Sequence, residues 1–369
     1  MRFGFIDGTY PDRARVAEAQ RTINLLPHLM QSGKAVNEMV LLRTPGLSVF
    51  TELEDSPNRA LFAEDGRVFS VNGSSFYELF ANGTFVRYGS VAEDADPATI
   101  VSNGETTGGQ LLITSGGKAY IFDLAAGSLT ETMPTVAHAH MGAFVDGYFI
   151  VLDRSANQFQ LSALADGSTW DPLDIATRNF ASDRILAIWA DQRELWLYGS
   201  KKSEVWYNSG DRDFPFQPIT GTFIENGIVA PFSPARAANT TLWLGGSERG
   251  TGVCLGAEGY TPKRVSTHAE EYQWQRLSRI DDAIGFSYQE EGHTFYCLYL
   301  PAAETTWVYD VTTNRWHERA LWNPDRLCFE PHLARSHAAV FGKHLVGDRQ
   351  SGAIYDQSLA YLEDSVIYD

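Results

Sequence analysis

The strongest constraint on the fold is a strand-and-turn pattern that recurs along the chain from residue 59 onward. Each copy begins with an apolar strand, turns at a glycine or polar pair, continues through a second strand, turns again, and ends in a strand with a bulky side chain. The copies are RALFAEDGRVFSVNGSSFYELF (59–80), QLLITSGGKAYIFDLAAGSL (110–129), GAFVDGYFIVLDRSANQFQLSAL (142–164), ILAIWADQRELWLYGSKKSEVWYNSG (185–210), TLWLGGSERGTGVCLGAEGYTPKRVS (241–266), AIGFSYQEEGHTFYCLYLPAAETTWVYDVTTNRWHER (283–319) and AAVFGKHLVGDRQSGAIYDQS (338–358). A fold built from equivalent small sheets is therefore expected.

The spacing of the copies selects among folds made of small sheets. Matching positions are 38 to 54 residues apart (159 − 121 and 308 − 254). They are Tyr77, Ile121, Phe159, Trp206, Cys254, Val308 and Tyr355. A four-stranded propeller blade takes about 40–45 residues, whereas a two-sheet sandwich shows strand alternation without so regular a return. We therefore predict an all-β β-propeller of six or seven blades over residues 46–369, preceded by a short non-propeller segment, residues 1–45.

Local patterns support hairpins within each copy. Asp65-Gly66 and Asp146-Gly147 are typical of tight turns between antiparallel strands. The stretch RELWLYGSKKSEVWYNSGDRDFPF (193–216) is rich in large rings, and we expect most of them to pack between blades. Its last two rings, Phe214 and Phe216, follow a polar loop. If they are exposed, they are candidates for contact with a neighbouring subunit.

The charge and the segment composition exclude several classes of protein. The formal net charge is -17, with 46 acidic and 29 basic residues. A protein that grips DNA needs clustered cations to displace counterions from phosphates, and this chain offers none longer than a pair. It also lacks an apolar run of the about 20 residues that a membrane helix needs, and Asp7 interrupts the place of a signal peptide. We expect a soluble, unexported chain without membrane insertion.

No motif predicts catalysis or a cofactor. The glycine-rich GGSERGTG (245–252) lacks the Gly-Lys-Ser/Thr end of a phosphate loop. His138 and His140 could share a metal, but no third ligand is evident nearby, so no metal site is predicted. SALADGSTW (162–170) approaches the Asp-box of sialidase-type propellers with altered spacing, and Asp-boxes stabilise turns away from the active site. We therefore predict a protein that is not an enzyme, with no catalytic residue, metal or cofactor.

Several stretches, in order, resemble the packaged-DNA stabilisation proteins of short-tailed bacteriophages, the tail nozzle family. They are INLLPH (23–28), LLRTPGLSVF (41–50), VDGYFIVLD (145–153), FQLSALADGSTWDPLD (159–174), RELWLYGSKKSEVWYNSGDRDFPFQPITGTFIENG (193–227), GYTPKRVSTHAEE (259–271), SYQEEGHTFYCLYLPAAETTWVYD (287–310) and NRWHER (314–319). The resemblance spans nearly the whole chain. The sequences of family members often extend beyond the point where this chain ends, at SVIYD. This is therefore either a shorter member or a chain that lacks a C-terminal segment.

The resemblance implies a structural subunit of the virion tail, assembled in the host cytoplasm. A homo-oligomer, a hexamer, would extend the DNA conduit below the portal and its head-to-tail adaptor ring, retain the packaged genome, and carry tail fibre, spike or needle proteins. Six such chains carry a formal charge of -102 (6 × -17). An acidic lumen would let double-stranded DNA pass without specific binding, whereas acid on the outer surface would serve solubility.

Residues 1–45 lie outside the repeat and are the candidate for adaptor docking, through Leu25, Leu26 and Leu29. The alternative is that they supply a closing strand to the propeller. Two other functions remain open on the sequence alone. One is a carbohydrate-binding or sialidase-like propeller, and the other is a cellular scaffold propeller.

Overall fold

The computed structural model describes residues 21–29, 39–105, 108–178, 183–247, 250–362 and 364. In this part of the chain nearly all regular structure is β, and seven sheets of four or five strands form blades around one axis. The predicted all-β propeller is confirmed, with seven blades. One short helix, α1 (His268–Trp274), follows blade 5, and no described helix is long and apolar enough to span a bilayer.

The N-terminal part of the described chain forms a hairpin and then a closing strand. Strand β1 (Leu25–Leu29) pairs with β2 (Met39–Arg43) in a sheet of their own. Strand β3 (Gly46–Glu52) joins three strands from the far end of the sequence. The closing strand thus comes from the stretch directly after residues 1–45, and the described residues before Gly46 lie outside the blades.

The blades follow one another in chain order, each an antiparallel sheet. Blade 1 is β4 (Asn58–Glu64), β5 (Arg67–Asn72), β6 (Ser75–Leu79) and β7 (Phe85–Ser90), and blade 2 is β8 (Thr99–Ser102), β9 (Gln110–Ser115), β10 (Lys118–Asp123) and β11 (Ser128–Thr132). Blade 3 is β12 (Met141–Val145), β13 (Tyr148–Asp153), β14 (Gln158–Leu161) and β15 (Ile175–Thr177), and blade 4 is β16 (Ile185–Asp191), β17 (Glu194–Gly199), β18 (Ser203–Asn208) and β19 (Phe216–Ile224).

The last three blades are less uniform. Blade 5 is β20 (Gly227–Ile228), β21 (Ala235–Ala237), β22 (Thr240–Ser247), β23 (Gly250–Glu258) and β24 (Thr261–Arg264), and blade 6 is β25 (Ile284–Glu290), β26 (His293–Leu300), β27 (Thr305–Asp310), β28 (Arg315–Asn323) and β29 (Cys328–Pro331). Blade 7 is β30 (Ala334–Val340), β31 (Lys343–Asp348) and β32 (Ala353–Ser358), completed by β3.

The wheel closes through blade 7. In this blade β3 pairs antiparallel with β32, with Leu47 opposite Gln357 and Val49 opposite Tyr355. The first strands of neighbouring blades contact one another around the axis, including β30 with β4. Because the two ends of the propeller share one sheet, the backbone hydrogen bonds of that sheet hold the ring closed.

The two Asp-Gly pairs form the tight turns that the sequence predicts. Asp65 and Gly66 have φ of 49° and 75°, and Asp146 and Gly147 have φ of 49° and 90°. Positive φ at both central residues is the type I′ requirement, whose twist matches that of the flanking strands. These turns join β4 to β5 and β12 to β13.

Large rings fill the spaces between blades. Trp196, Tyr198 and Trp206 of blade 4 are buried, as predicted. The ring of Tyr198 lies 5.3 Å from that of Trp243 in blade 5, and Trp206 lies 5.4 Å from Phe159 in blade 3. Each buried ring removes a large apolar area from water, so these residues hold adjacent blades together.

Candidate functional site

The N-terminal hairpin presents only part of the predicted adaptor-docking set. Leu25 is 38% exposed, whereas Leu26 is 7% exposed and packs between blades 6 and 7. Successive strand residues point to opposite faces, so the two leucines cannot serve one surface. The assignment of Leu26 to docking is therefore wrong. The backbone of Leu29 belongs to β1, but its side chain lies outside the described part of the molecule.

The hairpin is fastened to blade 6. The side chain of Asn24 donates to the carbonyl of Ala320 at 2.7 Å and accepts from the amide of Ala320 at 2.9 Å. Arg21 makes two bonds to the carboxylate of Glu318, at 2.7 and 2.8 Å. Any partner that binds Leu25 is therefore held at blade 6.

The predicted subunit contact through Phe214 and Phe216 required exposed rings. Phe216 is 1% exposed and belongs to the core around blade 4, and Phe214 is half-buried against that core. Its ring lies 6.1 Å from that of Phe159 in blade 3. Phe216 is thus excluded as a contact residue, because the polar loop before it folds back and places its ring inside.

Blade 6 carries an exposed apolar surface that the sequence analysis missed, the blade 6 patch of Trp322, Leu327 and Phe329. Trp322 is directly opposite Phe329 in the β28–β29 pair, with ring centroids 5.0 Å apart. Trp322 is 47% exposed and Leu327 is 75% exposed. A half-exposed tryptophan with apolar neighbours is typical of an anchor in a protein interface. The sequence signal for this patch is the polar turn NPDR (323–326), which lies between Trp322 and the apolar residues Leu327 and Phe329.

A second set of exposed apolar side chains, the blade 3 patch, comprises Leu164 within the Asp-box-like loop of blade 3, Leu173 just after that loop, and Met133, which directly follows the last strand of blade 2. Leu173 is 84% exposed, and the other two are also well exposed. The loop is ordered by Asp166, whose carboxylate accepts from Ser168 N at 2.9 Å and Thr169 Oγ1 at 2.8 Å. This is the turn-stabilising role expected from the motif. The two patches are three blade steps apart in a ring of seven, on nearly opposite sides of the wheel.

The histidines cluster away from the predicted pair. His138 and His140 have ring centroids 5.6 Å apart, and among the described residues no three His, Cys, Asp or Glu side chains form a metal site. Blades 6 and 7 bury His317 and His332 instead, and His337 is half-buried there. Burial lowers the pKa of His317 and of His337 to about 3, and that of His332 well below its usual value. Sequence reasoning could not foresee this, since His317 and His337 are each the one histidine of their strand and His332 lies between two strands.

A cavity lies at the axis of the wheel. Residues of the first strands surround this cavity of about 480 Å³, with an apolar wall that includes Ile100, Ile188 and Phe286. A volume of a few hundred Å³ is that of a pocket for a small molecule, not of a passage for double-stranded DNA.

One family matches nearly the whole chain. The family described as "Bacteriophage P22 Gp10, beta-propeller", of phage stabilisation proteins, matches residues 1–360. The match covers the hairpin, the closing strand and all seven blades. No curated protein matches the sequence.

Solved structures share the architecture only. The extracellular domain of a hybrid two-component system, BT4673, from B. thetaiotaomicron aligns with 8% identity and a TM-score of 0.53, over 85% of this chain and 39% of that one. A second structure of that extracellular domain aligns with 11% identity and a TM-score of 0.52, over 88% of this chain and 43% of that one. At such identities the likeness shows the fold and nothing about activity.

Proposed function

The chain belongs to the family of the bacteriophage P22 Gp10 β-propeller, structural DNA-stabilising proteins of phage particles, and we propose that it forms the nozzle of a short tail. In this proposal six copies form a ring below the portal and adaptor rings. The ring extends the DNA conduit, retains the packaged genome, and carries the tail needle or plug and the fibres or spikes. The subunit is not an enzyme.

The observation that carries the proposal is the family match from residue 1 to residue 360. A match confined to the blades would have supported a propeller of any kind. This one includes the hairpin fastened to blade 6, which forms a sheet of its own outside the blades. An N-terminal attachment outside the blades suits a protein that docks to a neighbour in an assembly.

The two apolar patches support a closed ring. A head-to-tail ring requires each subunit to present two different complementary surfaces on separate sides. The blade 6 patch and the blade 3 patch meet this requirement. We assign the contact between neighbouring copies to these patches.

The net charge of -17 supports a conduit that does not hold DNA. Binding of a duplex gains its free energy from lysine and arginine side chains that replace condensed counterions. A ring of acidic subunits instead repels the duplex from all sides. The genome would slide through it during ejection, and retention would come from the plug that closes the ring.

The test is electron microscopy of the purified chain mixed with the adaptor ring of the same phage. We expect a sixfold ring coaxial with the adaptor and a central passage bounded by several subunits. A Leu25→Asp variant should keep the fold and lose adaptor binding, while Val86→Asp, on the equally exposed strand β7 of blade 1, should not. A chain that stays monomeric with the adaptor present would overturn the proposal.

A further inference from the structure

The segment that follows the last strand of blade 7 lies against the N-terminal hairpin. We call its described residues, 359–362 and 364, the C-terminal strap. Arg43, the last residue of β2, donates through Nη1 to the carbonyl of Tyr361 at 3.0 Å and through Nη2 to the carbonyl of Leu359. The hairpin is therefore bonded to a segment more than 300 residues later in the chain, 318 residues in the case of Tyr361.

The hairpin needs such contacts to keep its position, because a two-stranded hairpin is at best marginally stable alone in water. Its strand β1 lies beside β28 of blade 6, and His28 Nδ1 is 3.0 Å from His293 Nε2. Strand β2 pairs with β1 and is joined to the strap at its end by Arg43. The two strands are thus held by different parts of the wheel.

The strap also contributes to a cavity beneath the hairpin. Leu26 and Leu42 are directly opposite each other in the hairpin, and both line this cavity of about 380 Å³. Leu359 of the strap belongs to the same lining, and its amide donates to Glu290 Oε1 at 3.2 Å. Removal of the strap would open the cavity and expose its apolar wall to water, which costs free energy.

The strap is fastened to blade 7 at two points. Asp364 Oδ1 accepts from the amide of Leu47 in β3 at 3.0 Å, and Tyr361 Oη donates to Asp356 Oδ2 in β32 at 3.0 Å. Strand β3 is an edge strand, whose outward amides lack a partner strand, and Asp364 supplies an acceptor for one of them. Because the strap continues directly from β32, it reaches β3 and the hairpin together only when β3 has joined β32.

We propose that the C-terminal strap couples the position of the hairpin to closure of the wheel, so that only a chain with a complete blade 7 presents the hairpin for docking. The docking partner, the adaptor ring, rests on the proposed function, whereas the coupling rests on the bonds of the strap. During assembly this coupling keeps chains with an open wheel off the adaptor.

Hydrogen–deuterium exchange of the purified chain tests the coupling without a partner. In a variant that ends at Ser358 and so lacks the strap, the amides of β1 and β2 should exchange about tenfold faster or more, with those of β13 in blade 3 unchanged. Arg43→Gln removes only the bonds to the two carbonyls. It should speed exchange in β2 about fivefold to tenfold and leave the melting temperature unchanged.

Arg87→Gln on β7 is the matched control. Arg87 is also an exposed strand arginine with two bonds, from Nε to Ser75 Oγ at 2.9 Å and from Nη2 to Ser90 Oγ at 2.7 Å. Its loss should leave exchange in the hairpin unchanged. Hairpin exchange that is equal in the full chain and in both strap variants would overturn the proposal. So would equal acceleration in all blades, which would show that the strap only stabilises the fold.

Binding to the adaptor ring tests the consequence for docking. The apparent affinity falls by the fraction of chains that present the hairpin, so the chain that ends at Ser358 should bind about tenfold more weakly or worse. Arg87→Gln should bind as the parent does. Equal binding with and without the strap would overturn the link to docking. A parent chain that does not bind the adaptor would contradict the proposed function instead, and the exchange rates would still decide whether the strap holds the hairpin.

Discussion

Arg319 Nη1 donates to Gln357 Oε1 at 2.7 Å, which joins blade 6 to the closing strands of blade 7. The same guanidinium donates through Nη2 to the carbonyl of Pro45 at 2.7 Å, just before β3. Arg319 is buried. The guanidinium of Arg319 thus bonds both to the residue just before β3 and to β32, the strand with which β3 pairs. Ring closure therefore depends on a polar contact inside the wheel.

Arg319→Met should destabilise the propeller. The change removes both bonds and leaves the oxygens of Gln357 and Pro45 buried without donors, which costs about 2–4 kcal/mol. We expect a melting temperature lower by several degrees in differential scanning fluorimetry. Arg326→Met removes an exposed arginine that pairs with Glu330 at 3.1 Å, and it should change the melting temperature little. Equal melting temperatures for the two variants would contradict the role of Arg319.

Substitutions in the two apolar patches should prevent ring formation without unfolding the chain. Trp322→Ala removes an interface anchor, which typically costs 2 kcal/mol or more, about thirtyfold in affinity. Leu173→Asp on the opposite side should have a similar effect. Mass photometry at micromolar concentration measures the loss, with Val86→Asp on blade 1 as control. Rings that form as well in both variants would show that other surfaces make the contact.

Two histidines of blades 6 and 7 make stability depend on pH. His317 and His337 have folded pKa values of about 3, below the 6.5 of exposed histidine, so the unfolded chain binds more protons as pH falls. Their stabilisation is complete above pH 6.5 and is lost progressively toward pH 3, at up to about 1.4 kcal/mol per pH unit for each group. The melting temperature should therefore fall between pH 6.5 and 4.5.

His317→Asn tests the source of that dependence. The variant should show a shallower fall of melting temperature between pH 6.5 and 4.5 than the parent chain, whatever its absolute stability. His268→Asn, at an exposed histidine that begins α1, should leave the slope unchanged. The same slope in all three proteins would rule out the buried imidazole as the cause.

The chain should not retain double-stranded DNA. With a charge of -17 and no basic run, we expect no mobility shift of a 30-base-pair duplex (about 100 Å long) at 50 mM salt, where phosphate-binding proteins bind most tightly. The adaptor-bound ring should behave in the same way. A shift that weakens steeply with added salt would show a cationic DNA-binding surface and contradict a sliding conduit.

The fold was predictable because its signal is repeated. Matching residues such as Tyr77 and Val308 return at blade spacing, and the Asp65-Gly66 turn fixes a hairpin by local backbone preference alone. The count of seven needed the structure, since blades 5 and 6 carry extra strands and blade 7 borrows β3. The pairing of distant segments such as β3 and β32 cannot be deduced from the spacing of the repeated positions.

The surfaces were less predictable, because burial of a single apolar residue depends on what folds over it. Phe216 and Leu26 are as apolar as Trp322, yet the first two are inside and the third is half exposed. The surroundings of Arg335 are likewise set by residues from other blades, which no local pattern reveals. Hydrophobicity alone does not distinguish core from contact surface.

Completion of blade 7 from distant stretches has a consequence during protein synthesis. About 300 residues separate β3 from β32 (353 − 52 = 301), so β3 leaves the ribosome long before its partner exists. At about 5–20 residues per second this wait lasts roughly 15 to 60 s. The nascent chain therefore displays an unpaired strand edge while six blades fold behind it, and the wheel cannot close before β32 has been synthesised.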